Sequence, residues 1–171
     1  MDFKQGDHVV YKSAGVCEVL GVETQSMDGE NEVLYYKLKP VSDASSTYYI
    51  PVASEKEKLR RLLTKDEVME LIDSMSKEEP EEEIWSDNRR ERREIYTQIL
   101  KGDDQKALVQ LISSLYFRKQ SSEARGRRFS AMDESAMKNA ENLMIQEFAT
   151  VLELQLEEVR KLISERLKSE M

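Results

Sequence analysis

One cysteine and one histidine are all that the 171 residues contain of either type. Cys17 therefore has no intramolecular disulfide partner, and Cys17 with His8 makes neither an ordinary zinc site nor a Cys–His catalytic pair. Cys17 is expected as a small buried hydrophobe in a strand, and His8 as an exposed or half-buried strand residue. No stretch approaches the roughly 18 apolar residues of a membrane span, so no membrane partner is expected. The opening residues, MDFKQGDHVV, lack the basic-then-apolar pattern of a signal peptide, which predicts a cytoplasmic protein. Internal repeats and low-complexity tracts are missing, apart from one acidic stretch. GxGxxG, P-loop, HExxH, GxSxG and CxxC patterns are all missing too. The chain reads as a non-enzyme, with no catalytic residue, metal ligand or cofactor to assign.

What is present is charge. Charged residues make up 35% of the chain and hydrophobic ones 39%, as in a soluble, helix-rich protein with modest cores. The formal net charge is −8, but the distribution matters more than the sum. Trp85 to Arg128 holds eleven Lys/Arg against six Asp/Glu, and Phe129 to Met171 holds five against nine. An acidic protein with one basic face can bind nucleic acid, weakly and with strong salt dependence. The glutamates of 78–83, broken by Pro80, lack the alternating ligands and turn glycine of a calcium loop and read as a solvated linker.

The pattern predicts an α+β protein. Residues 1–53 form a small β unit. It has an apolar run at 8–11, a β-rich run at 16–27 with Gly21 as a bulge or bend, a return strand at 33–39 and a last strand at 47–52. Asp28-Gly29 between two strand-like runs predicts a type I′ hairpin. Four or five strands in so few residues suit a strongly bent, SH3- or Tudor-like barrel with edges that can accept a partner strand. Residues 54–171 read as helical. Ser54-Glu-Lys-Glu and Thr64-Lys-Asp-Glu both have the form of a capping box. Helices are expected at about 65–76, 86–101, 104–120, 131–150 and 153–168, the second capped by Ser86 or Asp87 and the third by Asp103 or Asp104. Gly102 occupies the place of a C′ glycine, and Gly126 breaks the order to leave a basic loop at 121–129.

Two arginine clusters are the candidate DNA-binding residues: Arg89, Arg90, Arg92 and Arg93 at the start of the second helix, and Arg125, Arg127 and Arg128 in the basic loop. The only tryptophan, Trp85, precedes the first cluster. A helix N-terminus directs free N–H groups at phosphate, and an apolar ring there can wedge against a disturbed base step. The same residues also fit a core tryptophan opening a charged, solvated helix. Both readings stand on the residues alone.

The string FKQGDHVVYKSAGVCEV, Phe3 to Val19, resembles the opening of the CarD/CdnL family of RNA polymerase-binding bacterial transcription regulators. Phe3-Lys4, Gly6-Asp7, Val9-Val10-Tyr11 and Gly15 are the key parts. The Asp28-Gly29 hairpin, Tyr48 to Val52, Trp85-Ser86 after an acidic stretch, and Gly102-Asp103 continue the resemblance along the chain. The polymerase-binding module of the transcription–repair coupling factor is similar over the first part only. The resemblance implies that residues 1–53 are a Tudor-like domain binding the RNA polymerase β subunit, with Thr24, Gln25, Tyr48, Tyr49 and Ile50 as contacts. It implies that residues 54–171 contact promoter DNA, through minor groove and backbone, at the upstream edge of the transcription bubble. There Trp85 would slow bubble collapse and stabilise the open complex. A monomer is expected. Family members carry basic residues where this chain has Gln25 and Tyr49, often one where it has Asp87, and sometimes one at Glu134. An adaptor whose helical domain binds protein instead of DNA is the alternative.

Overall fold

The computed structural model describes residues 2–12, 14–26, 28–75, 84–102 and 104–168. The chain divides into two compact units, Met1–Leu62 and Leu63–Met171. The first unit is a five-stranded antiparallel sheet: β1 (His8–Tyr11), β2 (Gly15–Gln25), β3 (Val33–Pro40), β4 (Tyr48–Pro51) and β5 (Leu59–Arg61). The strand order is β4-β3-β2-β1-β5. A short 3₁₀ turn at Val52–Ser54 and a single helical turn, α1 (Glu55–Lys58), carry the chain from β4 to β5.

The expected barrel is met in part: the five strands form one antiparallel sheet that does not close among the described residues. β4 and β5 are its two edges, and no ladder joins them among the described residues. The sheet is nonetheless curled. Tyr11 on β1 meets Tyr48 on β4 edge-to-face at 5.4 Å, although β2 and β3 separate those strands. The bend comes from β2, whose register with β3 slips between Val19 and Gly21. Gly21 has φ +155°, which an L side chain rarely adopts, so the predicted bulge is there for the predicted reason. The core inside the curl is Val9, Cys17, Val19, Tyr36, Leu38, Ile50 and Leu59. Burial pushes the Cys17 thiol up to about 11, which keeps it inert, and His8 is exposed on β1.

Two local expectations fail. Asp28-Gly29 is not a two-residue I′ turn: the strands end at Gln25 and resume at Val33, and Gly29 but not Asp28 has positive φ. The Asp28 carboxylate instead accepts the Glu30 and Asn31 N–H groups, both at 2.9 Å, and this local bonding stabilises a wider loop. The boundary at 53 also moves, to Leu62. Ser54 makes no side-chain cap, α1 is one turn long, and β5 adds to the sheet beside β1. Glu55, next to the expected cap Ser54, is buried and takes hydrogen bonds from the Tyr36 hydroxyl and the Asp2 N–H.

The described residues of the second unit form five helices: α2 (Lys65–Asp73), α3 (Arg89–Lys101), α4 (Gln105–Ala124), α5 (Ala131–Leu152) and α6 (Leu156–Lys168). The Thr64 capping box forms as predicted, with both reciprocal bonds present. α3 is capped by Asn88 and not by Ser86 or Asp87; its side chain accepts from the Arg90 and Glu91 N–H groups. Asp104 caps α4. Leu108, Leu111, Ile112 and Leu115 of α4 are buried against Met137, Ala140, Met144 and Phe148 of α5, the stripe of the 3.6-residue period. Gly102 is extended, at ψ 177°, and not left-handed. The predicted acidic loop over 77–83 and the Asp103 alternative cap lie outside the described residues.

Candidate functional site

The first basic cluster sits at the N-terminus of α3. Ser86 and Asn88 shape the entry: the Ser86 hydroxyl accepts the Asn88 N–H at 3.2 Å and donates to Glu91 at 2.9 Å. This turn presents Trp85, half-buried and packed against the helical core. The indole N–H donates to Asp87 at 3.2 Å. Two guanidinium groups lie over the indole ring, Arg92 at 4.2 Å from its centre and Arg118 at 3.7 Å. Each such contact is worth about 0.5–2 kcal/mol, more as water is excluded.

Arg92 is held from behind. Its Nε donates to Asp133 Oδ1 at 3.0 Å and its Nη1 to the Ser86 carbonyl at 3.0 Å. The Tyr96 hydroxyl donates to the same Asp133 oxygen at 2.6 Å, and the Ser130 hydroxyl to the other at 2.6 Å. Asp133 is 3% exposed and Arg92 9%. Burial, then the hydrogen bond and charge of Asp133, push the Tyr96 phenol far above its ordinary value. Arg92 is thus fixed in the protein and serves as a support for Trp85. A buried pair in which every oxygen is satisfied is rigid, and removing one partner strands the other charge.

The second cluster is built by the end of α4. The Gly126 N–H bonds back to the Glu123 carbonyl and the Arg127 N–H to that of Ser122 at 2.8 Å, with Gly126 at φ +72°. This is a Schellman stop, and it needs the left-handed residue that glycine supplies. The helix therefore runs four residues further than the loop predicted from 121, and the turn displays Arg125, Arg127 and Arg128, all exposed. None of the three has an ion-pair partner among the described residues.

A cleft of about 490 Å³ joins the pieces. Trp85, Arg92, Arg118 and the three turn arginines line it, with Phe117, Phe129 and the serines of the α4 end. Among the described residues its one acid is Asp133, whose charge already serves Arg92. Arg89, Arg90 and Arg93 do not line the cleft; they are exposed along α3. Glu134 pairs with Lys119 at 3.1 Å, so the acid at that position is neutralised locally. Sequence reasoning missed Arg118, Phe117 and Phe129. The signal for Arg118 lay in its spacing, since 118, 121, 122 and 125 share one helical face.

The expected polymerase contacts occupy two places in the first unit. Tyr48, Tyr49 and Ile50 lie on β4, a free edge of the sheet. Tyr48 is exposed, Tyr49 half-buried, and Ile50 is in the core and offers only its backbone. Thr24 and Gln25 pair with Leu34 and Val33, whereas Tyr48 and Tyr49 pair with Leu38 and Lys37. The two sets are four residues apart along β3, about 13 Å at strand rise. Val33 and Leu34, exposed opposite Gln25 and Thr24, extend past the end of β4.

No helix among the described residues is long and apolar enough to cross a membrane. No curated protein matches the chain. Residues 3–63 match the family model described as the CarD-like/TRCF RID domain, a span that coincides with the first compact unit. A module of this type is a protein-interaction domain and not a catalytic one. Over its first unit the chain is thus similar to the CarD-like/TRCF RID domain family.

Proposed function

We propose that the chain is a monomeric transcription regulator that binds the RNA polymerase β subunit through residues 1–62 and promoter DNA through its helical unit. Contact with DNA at the upstream edge of the bubble then stabilises the open complex. The observation that carries this reading is the pairing of a polymerase-interaction family match with a tryptophan held at the wall of an arginine-lined cleft. β4 supports a strand-pairing dock, because a free edge offers its N–H and C=O groups and Gln25 and Tyr49 offer no charge. A few backbone contacts from Arg125, Arg127 and Arg128 carry no base information and give weak, salt-sensitive affinity. Tethering to polymerase raises the effective DNA concentration, so weak contacts suffice.

The adaptor reading is favoured by one observation: Trp85 is half-buried, with two guanidinium groups over its ring. The two readings part in one experiment. Immobilised β subunit is expected to retain the full chain, and Trp85 fluorescence is expected to become protected from acrylamide when polymerase and promoter DNA are both added. Failure of retention sinks the polymerase arm. Retention with unchanged quenching sinks the DNA arm and leaves the adaptor.

A further inference from the structure

The cleft is recessed, and a recess receives a group instead of inserting one. Its volume, about 490 Å³, lies in the range of small-molecule sites. Its walls combine two chemistries. Arg125, Arg127 and Arg128 bring unpaired positive charge, and Ser121 and Ser122 bring hydroxyl donors, all suited to phosphate. Phe117 and Phe129 bring aromatic faces. Phe117 is the telling residue. It is half-buried in the cleft wall yet lies outside the helical core cluster and the partly buried residues packed on that cluster. Core packing among the described residues therefore does not explain it. An aromatic wall beside arginines suits a ligand that is planar at one end and anionic at the other.

We propose that this cleft seats one unpaired nucleotide, its base against Phe117 and its phosphate on the Arg125–Arg128 turn. Arg118, stacked on Trp85 at 3.7 Å in the same wall, couples occupancy to the environment of the indole. The inference rests on the reading of this surface as the nucleic-acid face and states what enters it. The nucleotide has two possible sources, a frayed or melted strand and a free nucleoside triphosphate. Both present the same base and phosphate chemistry.

Trp85 is the only tryptophan, so emission excited selectively over the tyrosines reports on this wall. The full chain is titrated with a short oligothymidylate, with thymidine triphosphate, with inorganic triphosphate, and with a blunt duplex containing the same thymidine run. Saturable fluorescence change is expected with the oligothymidylate or thymidine triphosphate at concentrations about tenfold below those needed for inorganic triphosphate or duplex, the size of a stacking contribution. Phe117→Ala should abolish that tenfold preference while its thermal melt stays at the wild-type temperature. Arg127→Gln should weaken all four probes. A response to thymidine triphosphate names the free nucleotide as a source, and a response to the oligomer alone names the strand. Duplex binding as tight as the oligomer, an unaltered preference in Phe117→Ala, or no response to any probe would overturn the proposal. The titration needs neither polymerase nor promoter. A failed titration with a stabilised open complex would sink this inference only; a bound oligomer with an unstabilised open complex would sink only the regulator reading.

Discussion

Each unit buries one carboxylate under a tyrosine hydroxyl, and the two arrangements do different things. In the sheet unit, Glu55 accepts from Tyr36 and from the Asp2 N–H, so the carboxylate fastens the segment before β1 to β3 and α1. In the helical unit, Asp133 accepts from Tyr96 and Ser130 and also from Arg92, whose guanidinium continues on to Trp85. The first network ends in backbone and is structural. The second ends in the wall of a cleft, so it sets both stability and the geometry of the site. The difference is one arginine, because a guanidinium has donors for a carboxylate and a flat face for an indole.

Breaking the second network should have the largest effect. Asp133→Ala leaves Arg92 buried and uncompensated, and should cost the helical unit about 3–5 kcal/mol. It should also red-shift Trp85 emission; a denaturant melt followed by fluorescence reads both. Glu55→Gln removes only acceptor strength from a buried pair and should cost the sheet unit about 1–3 kcal/mol with Trp85 emission unchanged.

The comparison also appears in pH. Burial acts to raise the Glu55 carboxyl, but the Tyr36 hydroxyl and the Asp2 N–H outweigh it and hold Glu55 below 4.5. A depressed folded value means its stabilisation is present above about 4.5 and is lost as pH falls through the folded value. Burial and then Glu55 push the Tyr36 phenol up to about 12 from 10, so that stabilisation is full below 10 and is lost as pH rises through about 12. Circular dichroism of the sheet unit should therefore weaken at both extremes, and Tyr36→Phe should remove the alkaline loss without the acid one being abolished through Asp2.

Smaller effects should follow at the cleft rim. Arg118→Ala removes one cation from the indole and should cost about 0.5–1 kcal/mol while raising acrylamide access to Trp85. Arg89→Gln on exposed α3 should leave stability and Trp85 emission unchanged, with DNA binding in the polymerase complex losing at most about one unit of salt slope.

Much of this was legible in the sequence where the cause is local. Gly21, Thr64, Asp104, Ser130 and the α4 stripe did what short-range rules require. The failures have two causes, a competing local bond and a partner distant in sequence. Asp28 prefers its own neighbours' N–H groups to a tight turn. β5 is Leu59–Arg61, too short to alternate, and is a strand only because β1 lies beside it. Of the site, Trp85 and the turn arginines were visible as residue types. Their meeting was not, because it depends on Asp133, 41 residues beyond Arg92 in the chain. The same distance hid the fact that Arg92 is a support and not a free contact.

The central claim, that Trp85 in its arginine cleft holds promoter DNA, is tested most directly by the lifetime of the open complex after competitor challenge. The account expects wild-type protein to lengthen that lifetime and Trp85→Ala to remove the gain while polymerase retention stays unchanged. A Trp85→Ala protein that lengthens the lifetime as much as wild type would contradict it.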